Sequence, residues 1–384
     1  MTEAALILIS TSFPAAGDGS EAAGSFVSDL VDELALHLPV RVVAPGPADA
    51  VEWRSERIAI HRYAAPERPL STLKPWRPSD LRWIWKVLGG GQRAVDAAVA
   101  AGPSKQILAL WALPSGLWAR RAARRSGLPY AVWTLGSDIW SLGRIPLVRS
   151  VLRRVLRDAD ACYSDGLKLA EDTRQIADRP VAFLPSTRKI TLRNPPPPRS
   201  QPPYRLLFLG RWHPNKGIDL LLEALAMLTD ADWQRIEAVE IQGGGPMEGL
   251  VRERVASLQA AGRPVELGGY LAKPEAEAAI VRADWVLIPS RIESIPLVLS
   301  DALKAARPVV VTDVGDMGQL VARSPASGVV AAAAKPQAIA DVIAKAVMIG
   351  TSGFSEGVHG LAATFNLDRI SEHLGQAIMP IRSQ

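Results

Sequence analysis

The sequence predicts an α/β chain built as two parallel-sheet domains in tandem, facing each other across a cleft. Three observations predict it. Short, continuously apolar runs alternate with helical stretches along the whole chain, and each run ends at a turn residue, as strands buried on both faces do. The segment NPPPPRSQPP, residues 194–203, places six prolines in ten residues near the middle. Neither a helix nor a central strand accommodates that. Finally, 384 residues exceed one comfortable hydrophobic core.

The elements follow in order. ALILIS reads as a first buried strand, followed by a loop rich in Gly, Ala and Ser and a helix from about Gly24 to His37. Further strands are expected at VRVVAP, QILALW, YAVWTL and ADACYS. The proline segment is a stiff, extended linker. Beyond it, strands are expected at YRLLFLG, AVEIQGG, VELGGYL, DWVLIPS, RPVVVTD and SGVVAAA, with helices such as GIDLLLEALAML and PQAIADVIAKAVM between them. NLDRISEHLGQAIM, after Phe365, reads as a last helix that packs back on the first domain. The expected division is therefore 1–193, a linker at 194–203, 204–365, and a terminal helix within 366–384. Strand–helix alternation implies Rossmann-like parallel sheets covered on both faces, and such sheets bind ligands at the carboxyl ends of their strands.

Composition narrows the class. At 48% hydrophobic and 22% charged, the chain resembles an ordinary soluble enzyme. No apolar run approaches the roughly 20 residues of a membrane span. The N-terminus has an acid before its apolar run and no basic region, unlike a signal peptide. Cys162 is the single cysteine, and the five histidines are scattered without paired spacing. A cytoplasmic protein without metal or cofactor is the expectation.

The net charge of +5 is unevenly spread. Residues 1–203 hold 27 Lys+Arg and 19 Asp+Glu, together with eight of the eleven tryptophans. This half would meet something anionic or a surface, unless its tryptophans simply fill the core and its arginines coat helices. In LSTLKPWRPSDLRWIWKVL, Trp76, Trp83 and Trp85 mix with Lys74, Arg77, Arg82 and Lys86. In RIPLVRSVLRRVLRDAD, apolar residues alternate with Arg149, Arg153, Arg154 and Arg157. A basic amphipathic helix can lie on anionic lipid, so peripheral contact with the inner membrane face is one expectation. A plain scaffold helix is the alternative for the second stretch. Nucleic acid binding has only the net charge behind it and is not expected.

Four corners carry candidate chemistry. In LLFLGRWHPNKGIDLLLEAL a strand ends at Gly210, and Arg211 and Lys216 flank a loop that leads through Gly217 into a helix. Two cations beside a helix N-terminus suit phosphate oxygens. No GxxxxGK[ST] occurs, so this is not a Walker A loop. EIQGGGPMEGLV places Gly243, Gly244 and Gly245 after a strand, letting a flat ring or phosphate approach the backbone. LGGYLAKPE ends a further strand at Gly268-Gly269-Tyr270-Leu271, which borders a nucleobase or merely turns the chain. The GxGxxA match at Gly89 to Ala94 follows WIWKVL, which lacks strand character, and is read as chance. The fourth corner is PSRIESIPLVLSDALKAARPV. Ser294 reads as an N-cap and Pro296 as the first helical residue. N–H groups of Ile295, Leu297 and their neighbours would then face a diphosphate, with Glu293 just before them and Asp301 a little over one turn in.

GRWHPNKG, GGGP, GGY and PSRIESIPLVLSDALKAARPVVVTDVG, in this order and at this spacing, resemble the retaining GT-B glycosyltransferases of family 4. The hallmark of that family is an acid, seven residues, then a second acid. The resemblance is dense over about residues 205–320. It is looser in STSFPAAGDGSEAAGSFVSDL and WTLGSDIW, which look like the donor loop and a segment lining the cleft.

The resemblance implies a donor that is a nucleotide diphosphate sugar, an unidentified acceptor, and no metal. Arg211 and Lys216 would hold the diphosphate and stabilise the departing charge. Glu293 would bond the 3- and 4-hydroxyls of a hexose-type sugar, with backbone N–H groups just after it, at Ser294, Ile295 and Leu297, on the distal phosphate. Asp301 would bind the ribose. Gly24 would let the first domain approach the phosphates, and Gly136, Ser137 and Asp138 would line the acceptor side. Two positions depart from the pattern. The second acid is usually Glu, and Asp301 is shorter by about 1.5 Å. Leu135 stands where the family often has His before the Gly, which leaves Asp138 as the polar group there. A nucleotide-sugar-binding protein with weak turnover, or a sugar-nucleotide epimerase on the same fold, are the alternative readings.

Overall fold

A computed structural model describes residues 3–14, 21–67, 73, 77–191 and 194–376. Lys74, Trp76, residues 15–20 of the expected donor loop and residues 377–384 of the tail lie outside the described residues. The chain divides into two compact units, 1–188 with 367–384, and 189–366.

The first unit is built on an eight-stranded sheet: β1 Ala5–Ile9, β2 Val40–Gly46, β3 Ala50–Ser55, β4 Ile58–Ala64, β5 Ser104–Leu110, β6 Tyr130–Thr134, β7 Ala161–Ser164 and β8 Ala182–Phe183, in the order β3-β4-β2-β1-β5-β6-β7-β8. All pairs are parallel except β3 with β4. The five expected strands are present as β1, β2, β5, β6 and β7. Their residues are apolar and almost entirely buried, because helices cover both faces of a parallel sheet. The β3–β4 hairpin, VEWRSERIAIHRYA, was not expected. Its first strand is exposed at every residue and interleaves charges, so it offers no apolar run to read.

Gly89 to Ala94 lie within the helix Pro78–Ala100, not after a strand. The glycine run there has a packing cause. A Cβ on Gly91 would come within 2.3 Å of the Trp118 ring, which is fully buried and edge-on to Tyr63.

The second unit holds a six-stranded, all-parallel sheet: β9 Tyr204–Arg211, β10 Ile236–Gly244, β11 Val265–Leu267, β12 Trp285–Ile288, β13 Val309–Thr312 and β14 Gly328–Ala331, in the order β11-β10-β9-β12-β13-β14. Four lie within the expected runs, while β9 runs one residue past YRLLFLG to Arg211 and β10 starts two residues before AVEIQGG, at Ile236. Helices Ile218–Met227 and Pro336–Ile349 bury their apolar faces in the same core as β9, β10 and β12.

The division falls at Arg188 and Lys189, ahead of the proline segment. That segment is tied to the second unit. The Thr191 N–H donates to Glu277 at 3.2 Å, the Arg199 N–H donates to Asp284 at 2.7 Å, and buried Arg307 donates to the Pro196 carbonyl at 2.8 Å. The last helix, Leu367–Gly375, belongs to the first unit. Gln106 donates to the Leu374 carbonyl at 2.7 Å, and Tyr163 meets His373 edge-on at 5.5 Å. No helix among the described residues is long and apolar enough to cross a membrane.

Candidate functional site

The carboxyl ends of β9, β10, β12 and β13 open on one edge of the second sheet, since all are parallel. Three chain segments meet there, and glycines set how closely. Gly217 has φ +69°, and a Cβ on it would lie 1.9 Å from the Pro289 carbonyl oxygen. Gly315 has φ +60°, and its Cβ would lie 2.1 Å from the Glu293 carbonyl oxygen. The loop 289–294 is thus gripped from both sides by backbone that no other residue fits.

Hydrogen bonds complete the grip. The Arg291 N–H donates to the Asn215 carbonyl at 2.8 Å, and its guanidinium forks onto both oxygens of Asp219 at 2.7 and 2.6 Å. Burial alone would raise the Asp219 carboxyl, yet the Arg291 hydrogen bonds and charge hold it below its ordinary value. Thr312 donates its hydroxyl to the Ser290 carbonyl at 2.6 Å. His213 accepts from the Asn215 N–H at 3.2 Å and shapes the short turn Pro214–Lys216.

This framework brings Lys216 and Glu293 into a direct ion pair. Both are partly exposed, Lys216 more so. Arg211 ends β9, is exposed, and has no acid partner among the described residues. Its side-chain stem lies beside Gly245, where a Cβ would come 3.2 Å from its Cγ. Gly210 pairs in register with Gly243, and Arg211 with Gly244. Gly243 needs its bareness, because a Cβ there would lie 1.9 Å from the Gly210 carbonyl oxygen. Tyr270 is 70% exposed, lays its ring against Gly244 and donates to the Gly244 carbonyl at 2.7 Å. Leu271 follows, half-buried.

The helix after Glu293 starts later than expected. Pro296, with ψ 139°, is its N-cap, and the helix runs Leu297–Lys304 without a side-chain cap. Extended backbone at Pro296 moves the start beyond Ser294, which is buried together with Ile295. Asp301 is only 1% exposed, so the second acid is set into the body of the unit while Glu293 stays near the surface.

Four expected residues sit elsewhere, in the first unit. Gly24 lies inside the helix Glu21–His37 and does not open it. Its bare face is taken by Pro14 and Phe13, which a Cβ would meet at 2.7 and 3.0 Å. Gly136, at φ +103°, caps a short helix, and Ser137 is exposed. Asp138 is 1% exposed and turned inward, accepting from the Ala112 N–H at 2.7 Å and the Leu135 N–H at 3.4 Å. Its carboxylate therefore props the β5 and β6 loop ends of its own unit. Burial pushes its pKa up to about 6.

Sequence reading missed Arg291 and Asp219, whose pairing spans the two loops. The signal available was an acid in the first turn of the helix after Gly217 and a cation beside the Glu293 loop.

Residues 203–348 match the family model described as Glycosyl transferases group 1. The solved sucrose-phosphate synthase of Thermosynechococcus elongatus matches with a TM-score of 0.73 at 18% identity, over 97% of this chain and 98% of its own. The fold is GT-B. Another GT-B neighbour, Anabaena Alr3699/HepE in complex with UDP-glucose, matches with a TM-score of 0.63 at 15% identity, over 97% and 98% of the two chains. The uncharacterized glycosyltransferase MJ1178 of Methanocaldococcus jannaschii is 23% identical over 214 residues, 55% of this chain and 56% of that relative. The chain spans between a third and about half of the length of the first curated relatives it matches, 33% and 56%. With the group 1 domain carried on a GT-B fold, these matches support a glycosyltransferase. The segments described above, from Gly210 to Gly315, all lie within that domain.

Proposed function

We propose that the protein is a retaining glycosyltransferase of family 4 that moves a hexose-type sugar from a nucleotide diphosphate sugar to an acceptor, without a metal. The observation that carries this reading is the Lys216–Glu293 pair, fixed by the two-loop grip at the carboxyl edge of the group 1 sheet, with Arg211 beside it. Arg211 and Lys216 supply the charge a diphosphate needs as it leaves. Glu293 accepts hydrogen bonds from sugar hydroxyls, and Asp301 forms the floor below the ribose. The bond from the sugar's anomeric carbon to phosphate oxygen breaks as a bond to the acceptor oxygen forms on the same face. The departing phosphate oxygen takes the acceptor's proton, so no protein nucleophile is required. Tyr270, ring exposed over Gly244, suits a nucleobase. The UDP-glucose held by the Anabaena neighbour is in keeping with a uridine donor.

A thermal-shift panel of UDP-, GDP- and ADP-sugars tests this reading, because a donor that binds the folded protein raises its melting temperature by mass action. One nucleotide class should give a shift that Lys216→Ala abolishes. Absence of a shift with all three overturns the reading.

Peripheral contact with an anionic membrane is part of the same proposal. On the helix Pro78–Ala100, Trp85 is 67% and Leu81 40% exposed, with Arg82 and Lys86 exposed beside them. This combination suits the interface of a charged bilayer. Co-sedimentation with vesicles containing anionic lipid should fall with salt and with Trp85→Ala. Equal sedimentation with neutral vesicles, or none at low salt, removes this part.

A further inference from the structure

The first unit carries a surface pocket of about 420 Å³, within the range of small-ligand sites, that nothing above uses. It lies between the segment Ser137–Arg144, the start of the helix Pro146–Asp158 and the helix Leu167–Ala177. Trp140 forms one wall, and its indole N–H donates to Asp172 at 2.8 Å, which fixes the plane of the ring. Arg144 and Arg149 also line it. Arg144 has no acid partner among the described residues, and the Arg149 guanidinium has only the Gly143 carbonyl, at 3.3 Å. Gln175 adds a carboxamide. Gly143 keeps the pocket floor tight, since a Cβ there would come 3.2 Å from Ile176.

The chemistry of the wall selects the ligand. A fixed indole face suits the C–H face of a sugar ring, and Asp172 and Gln175 supply the acceptor and donor groups that sugar hydroxyls need. The two guanidiniums exceed the one carboxylate, which is already shared with the indole. A neutral sugar would leave that surplus positive charge unused, whereas a phosphate or carboxylate on the sugar would engage it in charge-assisted hydrogen bonds.

We infer that this pocket binds an anionic saccharide, a sugar carrying a phosphate or carboxylate, through Trp140, Arg144 and Arg149. This binding does not rest on the transferase reading above.

Calorimetric titration with glucose 6-phosphate, glucuronate, glucose and inorganic phosphate tests it. Glucose 6-phosphate or glucuronate should bind, and whichever is tighter identifies phosphate or carboxylate as the anion. Glucose and inorganic phosphate should each bind about tenfold more weakly or worse. The double substitution Arg144→Ala with Arg149→Ala should weaken the anionic sugar by about tenfold or more, and Trp140→Leu by about as much, with unchanged melting temperatures. Arg144→Lys should retain part of the affinity. No binding of either anionic sugar, binding untouched by the double substitution, or inorganic phosphate binding as tightly as the sugar phosphate each overturns the inference. Nucleotide-sugar thermal shifts, run on the same proteins, keep the two readings separate. Lost shifts with anionic sugar binding intact would remove the transferase reading and leave this one standing.

Discussion

Lys216 and Glu293, 77 positions apart in the chain, form one ion pair at the carboxyl edge of the second sheet. Neither residue has the freedom its length suggests. Lys216 is followed at once by Gly217, pressed on the Pro289 carbonyl, and the Glu293 carbonyl is pressed on Gly315. The pair is therefore positioned by backbone contact rather than by side-chain packing.

On the function proposed above, Glu293→Gln should lower sugar transfer by about a hundredfold or more while leaving the fold intact, because it removes the charge that function assigns to the sugar contact. Lys216→Ala should cost less than about 1 kcal/mol of stability, since the pair is partly exposed. Its effect should fall on donor affinity. A product assay with a nucleotide sugar, run beside melting curves, separates the two outcomes.

Gly217→Ala should destabilise the second unit by more than about 2 kcal/mol, because both its φ and the Pro289 oxygen exclude a Cβ. Gly249 provides the contrast. It lies in the helix Glu248–Ala260 with nothing within 4 Å of the Cβ it would gain. Gly249→Ala should be neutral or stabilising by up to about 1 kcal/mol. Denaturant midpoints of the two variants should move in opposite directions or differ sharply in size.

The Asp219–Arg291 fork gives stability a pH dependence of known sign. The Asp219 carboxyl is lowered in the folded state, so its contribution is present above the ordinary carboxylate range and is lost as pH falls through the lowered value. Asp219→Asn should remove that acid-side loss. It should also loosen the loop that holds Glu293, which a higher KM for the donor would report.

Asp138 works in the opposite sense. Its pKa is raised from 3.8 to about 6, so the protein is most favoured, as far as this group is concerned, below the ordinary value. That contribution is lost as pH rises through about 6. Relative to Asp138→Asn, the natural protein should lose up to about 3 kcal/mol between pH 4 and pH 7. A constant offset from the amide leaves that slope unchanged. Urea unfolding of both proteins across this range measures it.

The second unit was the more legible of the two. YRLLFLG and RPVVVTD are buried on both faces and read as strands without context, and the glycines and prolines between them mark the corners. The β3–β4 hairpin escaped because Val51 and Trp53 alternate with Glu52 and Arg54, a pattern shared with loops. Gly136, Ser137 and Asp138 were legible as a corner, but not that Asp138 turns inward. Whether a carboxylate meets solvent or a neighbouring N–H depends on Ala112, which lies in another loop. The start at Pro296 instead of Ser294 is a question of one backbone angle. The Arg291–Asp219 fork depends on two loops approaching, which no single stretch records.

One feature bears on how the protein is made. The first unit opens the chain, yet its sheet is covered beside β5 by the helix Leu367–Gly375, held by Gln106 and by Lys105, which donates to the Gly375 carbonyl at 2.8 Å. On the ribosome, the unit translated first would therefore be completed last. The second unit, continuous from Lys189 to Asn366, has every element it needs while the first still lacks one. Cutting the chain between Arg188 and Lys189 would leave the second unit whole and the first with its β5 surface uncovered, prone to associate with other copies.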